Sequence, residues 1–511
     1  MKKNNFYITT PIYYPSGEPH IGHAYSSILT DVFARFKRND NYKVHFLTGT
    51  DEHGLKIQKS AEKKNLDPKI YCDKLSKVFK DLTVSLNLSN DDFIRTTEKR
   101  HHSAVNELWN RLIKSGDIYL SKYKGWYSVS DEAYYNSDEI IEKDGKKYST
   151  FSGSSVEWVE EESFFFKLSA WQNKLLDFYK NNPKFISPES RRNEVINFVK
   201  SGLKDLSVSR TSFSWGIKVP NNNNHVIYVW LDALTNYLSA VNFPDTKNKL
   251  YSDFWPASLH VIGKDILRFH AIYWPAFLLA ADIKTPEKIF SHGWILSGDE
   301  KMSKSKGNIL NPLEIIKTYG IDQLRYYLMK EVSHGLDGSI SLNSLKNCIN
   351  SDLANNFGNL CQRVFSFIKN NCNNKVTRTK NLSKSDKELI SNTKNLTKNL
   401  RNEMNNLNLN NYLKSVINIS FLTNKYINDE EPWKLKKTNI EKMNNVLHIA
   451  LEQIAVISIL LEPIIPMTSE KVLKSLNIKK ELKNLSFLDG KNLIDNDIKI
   501  GSLDLLFKKI L

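Results

Sequence analysis

The chain reads as an α/β protein: a doubly wound parallel sheet with an inserted lobe, followed by an all-α region. Three observations point there. A strand–helix–strand unit opens the chain, strand-like runs return after residue 226, and from about Ser344 the apolar spacing is almost wholly helical. Phe6-Tyr7-Ile8-Thr9-Thr10 is a short β-branched and aromatic run, the pattern of a strand. The Pro/Gly turn Pro15-Ser16-Gly17-Glu18-Pro19 follows it. From His20 to Arg38, Ile28, Leu29, Val32, Phe33 and Phe36 recur at helical spacing, and Lys43–Thr48 returns to a strand pattern. Strand, helix and strand in this order form a βαβ unit, the start of a parallel sheet.

Residues 116–225 change character. Gly125-Trp126-Tyr127, Phe151-Ser152-Gly153-Ser154-Ser155 and the acidic run Glu157-Trp158-Val159-Glu160-Glu161-Glu162 concentrate aromatic, small and charged residues. This interval is predicted to be a lobe inserted between two halves of the α/β domain, 1–115 and 226–343. The second half resumes with strands at Val226–Leu231, at Leu259–Ile262 with a helix after it, and at Lys288–Leu296. Residues 344–511 form a helical domain, with the Asn/Lys-rich stretch Lys369–Lys387 as the loop between its first two helices.

At 511 residues and 41% hydrophobic content the chain can build several cores, which argues against disorder. Its four cysteines, Cys72, Cys348, Cys361 and Cys372, contain no C-x-x-C pair, so neither a disulfide framework nor a cysteine zinc site is expected. Apolar runs such as Ala271–Ala281 are too short to span a bilayer. Met1–Asn5 passes into the first strand without a signal segment. The expectation is a cytoplasmic protein with no membrane partner. The net charge is +16, and the larger part of the excess lies after residue 345. That suits a polyanionic partner. It equally suits the Lys, Asn and Ile bias of AT-rich coding, so charge alone does not establish nucleic-acid binding.

Two short segments carry chemistry. His20-Ile21-Gly22-His23 lies between the first strand and its helix, where free N–H groups and the helix dipole favour a phosphate. His20 and His23 can both donate to phosphate oxygens, and Gly22 lets a nucleotide approach the backbone. Lys301-Met302-Ser303-Lys304-Ser305-Lys306-Gly307-Asn308 follows a late strand and forms a cationic flap suited to a leaving pyrophosphate. Taken singly, the first is open to reading as a pair of packing histidines and the second as a solvated basic loop. Together, letter for letter and in order, they resemble the HIGH and KMSKS signatures of class I aminoacyl-tRNA synthetases, which have a Rossmann-like catalytic domain.

Further segments are similar to the methionyl-tRNA synthetase family. They are Thr10-Pro11-Ile12-Tyr13-Tyr14-Pro15-Ser16-Gly17-Glu18-Pro19, Gly49-Thr50-Asp51-Glu52-His53-Gly54, Tyr228-Val229-Trp230-Leu231-Asp232-Ala233 and Gly263-Lys264-Asp265-Ile266-Leu267-Arg268-Phe269-His270. The resemblance covers essentially the whole chain. It implies that Ile12, Tyr14, Asp51, Trp230 and His270 contact the amino acid; by their chemistry Tyr237, Ala233 and Ile266 suit the same pocket, and Pro11 is assigned to it as well. The chemistry agrees with methionine: its sulfur packs well on aromatic rings, and Asp51 suits the substrate ammonium. Leu234 stands where some relatives have proline, and Pro11 where some have alanine. The branched-chain and leucyl enzymes carry a large editing insertion, because one methylene gives only ~1–3 kcal/mol of discrimination. The interval 116–225 is too small for that domain.

Many relatives carry cysteine knuckles in the inserted lobe. Here the corresponding stretches read Tyr127-Ser128-Val129-Ser130-Asp131-Glu132 and Phe151-Ser152-Gly153-Ser154-Ser155-Val156. The zinc-free form of the family is expected, with magnesium arriving only with ATP. Asn359 and Arg363, four apart on a helix, and Trp433 after Pro432 resemble the family's elements for the CAU anticodon, which implies binding of initiator and elongator tRNA(Met). A monomer is expected. The implied activity is methionine–tRNA ligase, with His20, His23, Lys301 and Lys304 catalytic and Gly22 and Ser303 also binding ATP. The rival readings are another class I synthetase, a smaller HIGH-containing nucleotidyltransferase, and an inactive paralogue that only binds RNA.

Overall fold

The computed structural model describes residues 4–135, 137–297, 300–301, 311–332 and 335–510, with 297, 300 and 301 described by their backbone alone. The chain divides into two compact units: residues 1–19, 45–84 and 90–292, and residues 20–44, 85–89 and 293–511.

The first unit is built on a six-stranded sheet in the order Asp92–Arg95, Lys43–Thr50, Asn5–Thr9, Leu259–Gly263, Ile289–His292 and Ile186–Ser187. Its pairings are parallel, with Ile8 opposite Leu259, His260 opposite Ile289 and Leu47 opposite Asp92. Tyr7, Ile8, Phe46, Leu47, Val261, Ile262 and Ile289 are all buried, so consecutive residues on both faces are covered. Strands step to one side of Asn5–Thr9 and later to the other. The order therefore switches between Asn5–Thr9 and Leu259–Gly263, and ligands of such sheets bind beyond the carboxyl ends of those strands.

Two elements depart from the pattern reading. Of the run Val226–Leu231, only Val226 and Ile227 are strand, paired antiparallel with Ser209–Arg210. The chain turns at Tyr228 into the helix Val229–Leu234, whose first bonds run from the Leu231 and Asp232 N–H groups to the Tyr228 carbonyl. A β-branched, aromatic run reads as strand, but a run buried on every side, as at Val229, Leu231, Ala233 and Leu234, serves a helix equally well. The interval 116–225 begins with a long hairpin, Ile118–Ser128 against Glu157–Phe166. It also supplies Ile186–Ser187, the edge strand of the main sheet. Tyr179, Phe185, Val195 and Val199, in and around the flanking helices Gln172–Asn181 and Glu189–Lys200, share the sheet's apolar core.

The second unit comprises the helix Ile21–Asn39, a three-stranded sheet of Ile295–Ser297, Glu300–Lys301 and Gly338–Ile340, and helices from Pro312 onward. Asp31 and Arg325, both fully buried, anchor the first helix. Arg325 Nη2 lies 2.7 Å from Asp31 Oδ2, and its other N–H groups reach the carbonyls of Leu86, Pro463 and Ile464. Ile440–Leu461 is long and apolar enough to cross a membrane, yet 89% of its most apolar stretch is buried inside the protein, as befits a central bundle helix. The stretch read as a loop at Lys369–Lys387 is more ordered than expected. The helix Asn359–Asn371 enters it, and Lys375–Thr377 pairs antiparallel with Asp497–Lys499. A three-residue strand whose partner is far along the chain leaves no local signature.

Candidate active site

The first unit gathers the residues singled out for the amino acid at the carboxyl ends of its strands. Pro11 and Ile12 follow Asn5–Thr9, Asp51 follows Lys43–Thr50, and Ile266 follows Leu259–Gly263. Backbone bonds pin the loop after the first strand alongside the second. The Tyr13 N–H reaches the Gly49 carbonyl at 2.8 Å, and the Asp51 N–H reaches the Tyr13 carbonyl at 2.9 Å. Ile12, Tyr14, Trp230 and Ile266 pack, partly buried, against a core that includes Tyr237. Trp230 lies flat on Phe269 with centroids 3.7 Å apart and meets His270 edge-on. Ala233 is buried one turn along from Trp230.

His270 is fixed in one tautomer. Its Nδ1 lies 3.0 Å from the Ile266 carbonyl, which only accepts, so Nδ1 carries the proton. Nε2 is then the acceptor for the Tyr237 hydroxyl at 2.8 Å. Burial pushes the ring's pKa down to about 4, so at neutral pH this wall carries no charge.

Asp51 is the opposite case. Only 7% exposed, it has an Oδ1 that meets no hydrogen-bond donor among the described residues. Burial, followed by the negative charges of Asp232, Glu132 and Glu52, holds its carboxyl well above the usual range. Its field also reaches Tyr14 and Tyr237, raising both phenols after burial has done so. The site therefore pairs a neutral aromatic wall with a buried carboxylate that a backbone N–H at His53 compensates only in part. Asp232, fully buried nearby, is compensated: His53 Nδ1 and His101 Nε2 each lie 2.7 Å from its carboxylate oxygens. Although burial acts to raise its pKa, the two histidines hold it below the ordinary range. His101 was not foreseen. It stands in an ordinary amphipathic helix, Lys99–Lys114, and nothing local marks it.

In the second unit His20 and His23 open the helix Ile21–Asn39. His20 Nδ1 accepts the Gly22 N–H, and His23 Nδ1 accepts the His20 N–H, each at 3.1 Å. This is a capping box in which two imidazoles replace the usual hydroxyl and carboxylate. With Nδ1 accepting in both rings, the proton of each neutral imidazole sits on Nε2, which makes that atom a donor. A Cβ at Gly22 would stand 3.0 Å from the His20 ring, a tight contact that glycine avoids. The Lys301 backbone pairs with Leu296. The Lys301 side chain, Ser303 and Lys304 lie outside the described residues.

The two stretches flagged for missing cysteines are joined by hydrogen bonds. Asp131 accepts the hydroxyls of Ser152 at 2.5 Å, Ser154 at 2.8 Å and Tyr135 at 2.8 Å. Beside them Arg210 is fully buried, with the rings of Tyr127, Tyr134 and Tyr228 at 4.1–5.1 Å from its guanidinium.

Among the residues singled out for the tRNA, Arg363 and Trp433 come together. The guanidinium lies 5.7 Å from the indole ring and donates to Asn428 at 2.8 Å. Both line a cleft of about 280 Å³ with Phe367, Asn370, Ile427 and Pro432. Trp433 is 42% exposed, leaving part of its face open for stacking. Asn359 is exposed on the same helix one turn before Arg363 and does not line the cleft.

Comparison with known proteins agrees with this geometry. Residues 6–365 match the family model for tRNA synthetases class I (M), and residues 376–511 match that for the anticodon binding domain of methionyl tRNA ligase. A methionine–tRNA ligase of Rickettsia typhi is 51% identical over 504 residues, which cover 98% of this chain and 97% of the relative. One of Brucella suis is 47% identical over 487 residues, covering 95% and 94%. Among solved structures, Mycobacterium tuberculosis methionyl-tRNA synthetase in complex with methionyl-adenylate is similar with a TM-score of 0.96 at 42% identity, covering 98% of this chain and 99% of that one.

Proposed function

The chain belongs to the methionyl-tRNA synthetase family and acts as a class I methionine–tRNA ligase, and from that premise we propose which of its residues recognise each substrate. The reaction activates L-methionine with ATP to methionyl-adenylate and transfers the methionyl group to tRNA.

The amino-acid site comprises Pro11, Ile12, Tyr14, Asp51, Trp230, Ala233, Tyr237, Ile266 and His270. The observation that carries this reading is the bare Oδ1 of Asp51 beside a neutral wall. A buried carboxylate with one oxygen left without a donor is costly to ionise, and the α-ammonium of an amino acid supplies both a donor and a positive charge. The wall of Trp230, Tyr237 and neutral His270 offers polarizable rings and no charge, which suits a thioether and penalises a charged side chain.

In the first step the methionine carboxylate attacks the α-phosphate in line and pyrophosphate leaves. No side chain serves as nucleophile, so catalysis is positioning and charge stabilisation. The Nε2–H groups of His20 and His23 donate to phosphate oxygens, and Gly22 admits the nucleotide. Lys301, Ser303 and Lys304 close on the departing pyrophosphate. Magnesium enters with the ATP phosphates, and we assign it no protein ligands. In the second step the terminal ribose hydroxyl of tRNA attacks the adenylate carbonyl. Arg363 and Trp433, with Asn359 one turn away, read the anticodon of both initiator and elongator tRNA(Met). We further propose a cytoplasmic monomer that needs no structural zinc, its lobe tied instead through Asp131 and its three hydroxyl donors. The domain limits proposed are 1–115, 116–225, 226–343 and 344–511.

The decisive experiment is ATP–pyrophosphate exchange with each of the twenty amino acids, alongside elemental analysis of the purified protein. Exchange with methionine and negligible zinc are expected. Faster exchange with another amino acid would overturn the site assignment, and about one zinc per chain would overturn the zinc-free form.

A further inference from the structure

Glu132 has no role in the scheme above, yet it touches two parts of the amino-acid site. It stands in the turn between the strands Ile118–Ser128 and Ala133–Tyr135, 5% exposed, at a left-handed φ of 49°. A bulky acidic residue is seldom held buried in that conformation without compensation. Here every polar atom of the carboxylate is engaged. Oε1 accepts the Lys56 N–H at 2.8 Å and lies 3.3 Å from the Tyr14 hydroxyl, while Oε2 accepts the Tyr127 hydroxyl. Its backbone carbonyl accepts the Tyr228 hydroxyl at 2.9 Å.

The other partners of Tyr14 complete the arrangement. Its hydroxyl donates to the His53 carbonyl at 2.7 Å, with Glu132 Oε1 as a second, longer acceptor at 3.3 Å. A Cβ at Gly54 would stand 2.7 Å from the Tyr14 oxygen and 2.9 Å from Glu132 Oε1, and Gly54 holds φ of 108°. The segment from Asp51 to Lys56 is thus folded tightly over the tip of Tyr14. Its near end carries the carboxylate assigned to the ammonium. Its far end opens the helix Leu55–Glu62, and the Lys56 N–H, one of the donors that the helix itself cannot satisfy, is met by Glu132.

We propose that Glu132 is a positioning residue for amino-acid recognition: from the turn of the inserted hairpin, its carboxylate holds the Tyr14 phenol and the Asp51–Lys56 segment in register, which sets the spacing between ammonium partner and side-chain wall. This rests on the assignment of Asp51 and Tyr14 to the amino-acid site. The pocket is then completed by the inserted lobe as well as by the strand ends of the sheet. Small displacements of such contacts cost up to ~10²-fold in rate or affinity.

The test compares Glu132→Ala, Glu132→Gln, Tyr14→Phe, Asp51→Asn and the double variant Glu132→Ala/Tyr14→Phe in ATP–pyrophosphate exchange, with thermal unfolding of each. Glu132→Ala should raise the KM for methionine by roughly 10- to 100-fold while the KM for ATP stays within threefold. Glu132→Gln, which keeps an acceptor for the Lys56 N–H, should restore most of the loss. The double variant should show less than additive loss, as expected for groups acting through one contact. If Glu132→Ala is too unstable to assay, Glu132→Asp, which withdraws the carboxylate by one methylene, carries the comparison, with the methionine KM expected to rise roughly threefold or more and the ATP KM unchanged. Equal rises in both KM values, or a fall in kcat alone, would mark Glu132 as merely structural and overturn the proposal. An unchanged methionine KM in Asp51→Asn would instead overturn the underlying site assignment, so the two failures are distinguishable.

Discussion

Replacing Asp51 by Asn tests the amino-acid site most directly. The substitution keeps size and shape and removes one charge. Among the described residues Oδ1 of Asp51 meets no donor and the residue is nearly buried, so in the free protein ionising it costs energy that a backbone N–H at His53 offsets only in part. With substrate bound, the variant leaves the ammonium buried against a neutral amide. Removing one partner of a buried ion pair costs about 3–5 kcal/mol, and each 1.36 kcal/mol is tenfold. The KM for methionine in ATP–pyrophosphate exchange at saturating ATP should therefore rise by roughly 150- to 5000-fold. The KM for ATP should stay within threefold. A methionine KM within threefold of the parent would refute the reasoning.

Two linked effects share the same cause. The free protein holds the Asp51 carboxyl well above the ordinary range, through burial first and through Asp232, Glu132 and Glu52 next. Methionine binds the ionised form, so its KM should fall as pH rises toward that pKa and level off above it, and Asp51→Asn should remove this limb. The consequence for stability runs in the same direction. A carboxyl whose folded pKa is raised costs the fold nothing below its unfolded pKa and progressively more as pH climbs to the folded value. At neutral pH the ligand-free Asp51→Asn variant should thus melt at a higher temperature than the parent. A lower Tm would contradict the account.

Three further outcomes are expected. His23→Ala and Lys304→Ala should each slow adenylation by roughly 10²-fold or more with methionine affinity retained, measured by exchange and by calorimetric titration. Asp232→Asn should lower unfolding free energy by about 3–5 kcal/mol in denaturant titration at pH 7, because His53 and His101 lose a buried partner. Since the folded pKa of Asp232 is depressed, its contribution is present above the unfolded value and is lost as pH falls through the folded one. Trp433→Ala should raise the KM for tRNA about 5- to 150-fold, as one base-stacking platform of ~1–3 kcal/mol disappears, with exchange in the absence of tRNA unchanged.

What could be read from the sequence follows from how local each signal is. His20-Ile21-Gly22-His23 is legible because its pattern is contained in one turn of backbone, and the structure adds the tautomers that its capping bonds impose. Tyr14, Asp51, Trp230 and His270 are scattered over more than half the chain. No spacing rule unites them, so they were found through the family pattern, and the strand order explains why they converge. His101 and Glu132 were missed for the same reason in stronger form. One sits in an ordinary amphipathic helix and the other in a turn, and each acquires meaning only from partners far away in sequence. Ile186–Ser187 is two residues long, too short to be a pattern at all, and its identity as a strand rests on Ile289 and Phe290 beside it. Within Val226–Leu231, the residues Val229–Leu231 read as strand but are helical, because β-branched and aromatic residues serve a buried helix as well as a strand.

The contrast between Asp51 and Asp232 supplies the physical reason for separating framework from site. Both are carboxylates in the same unit, both are nearly or wholly buried, and each lies in the other's field. Around Asp232 the fold has spent two imidazoles, and its charge is matched on both oxygens. Around Asp51 it has placed more negative charge and, among the described residues, left one oxygen without a donor. A protein that can compensate one buried acid so fully has the means to compensate the other. Leaving Asp51 unmatched lowers the stability of the free chain, and that loss is recovered only when a ligand brings a positive charge. The two Asn substitutions should therefore move the melting temperature in opposite directions, up at Asp51 and down at Asp232. A shift of the same sign at both would mean that Asp51, too, is framework, and the ammonium would have to be sought elsewhere.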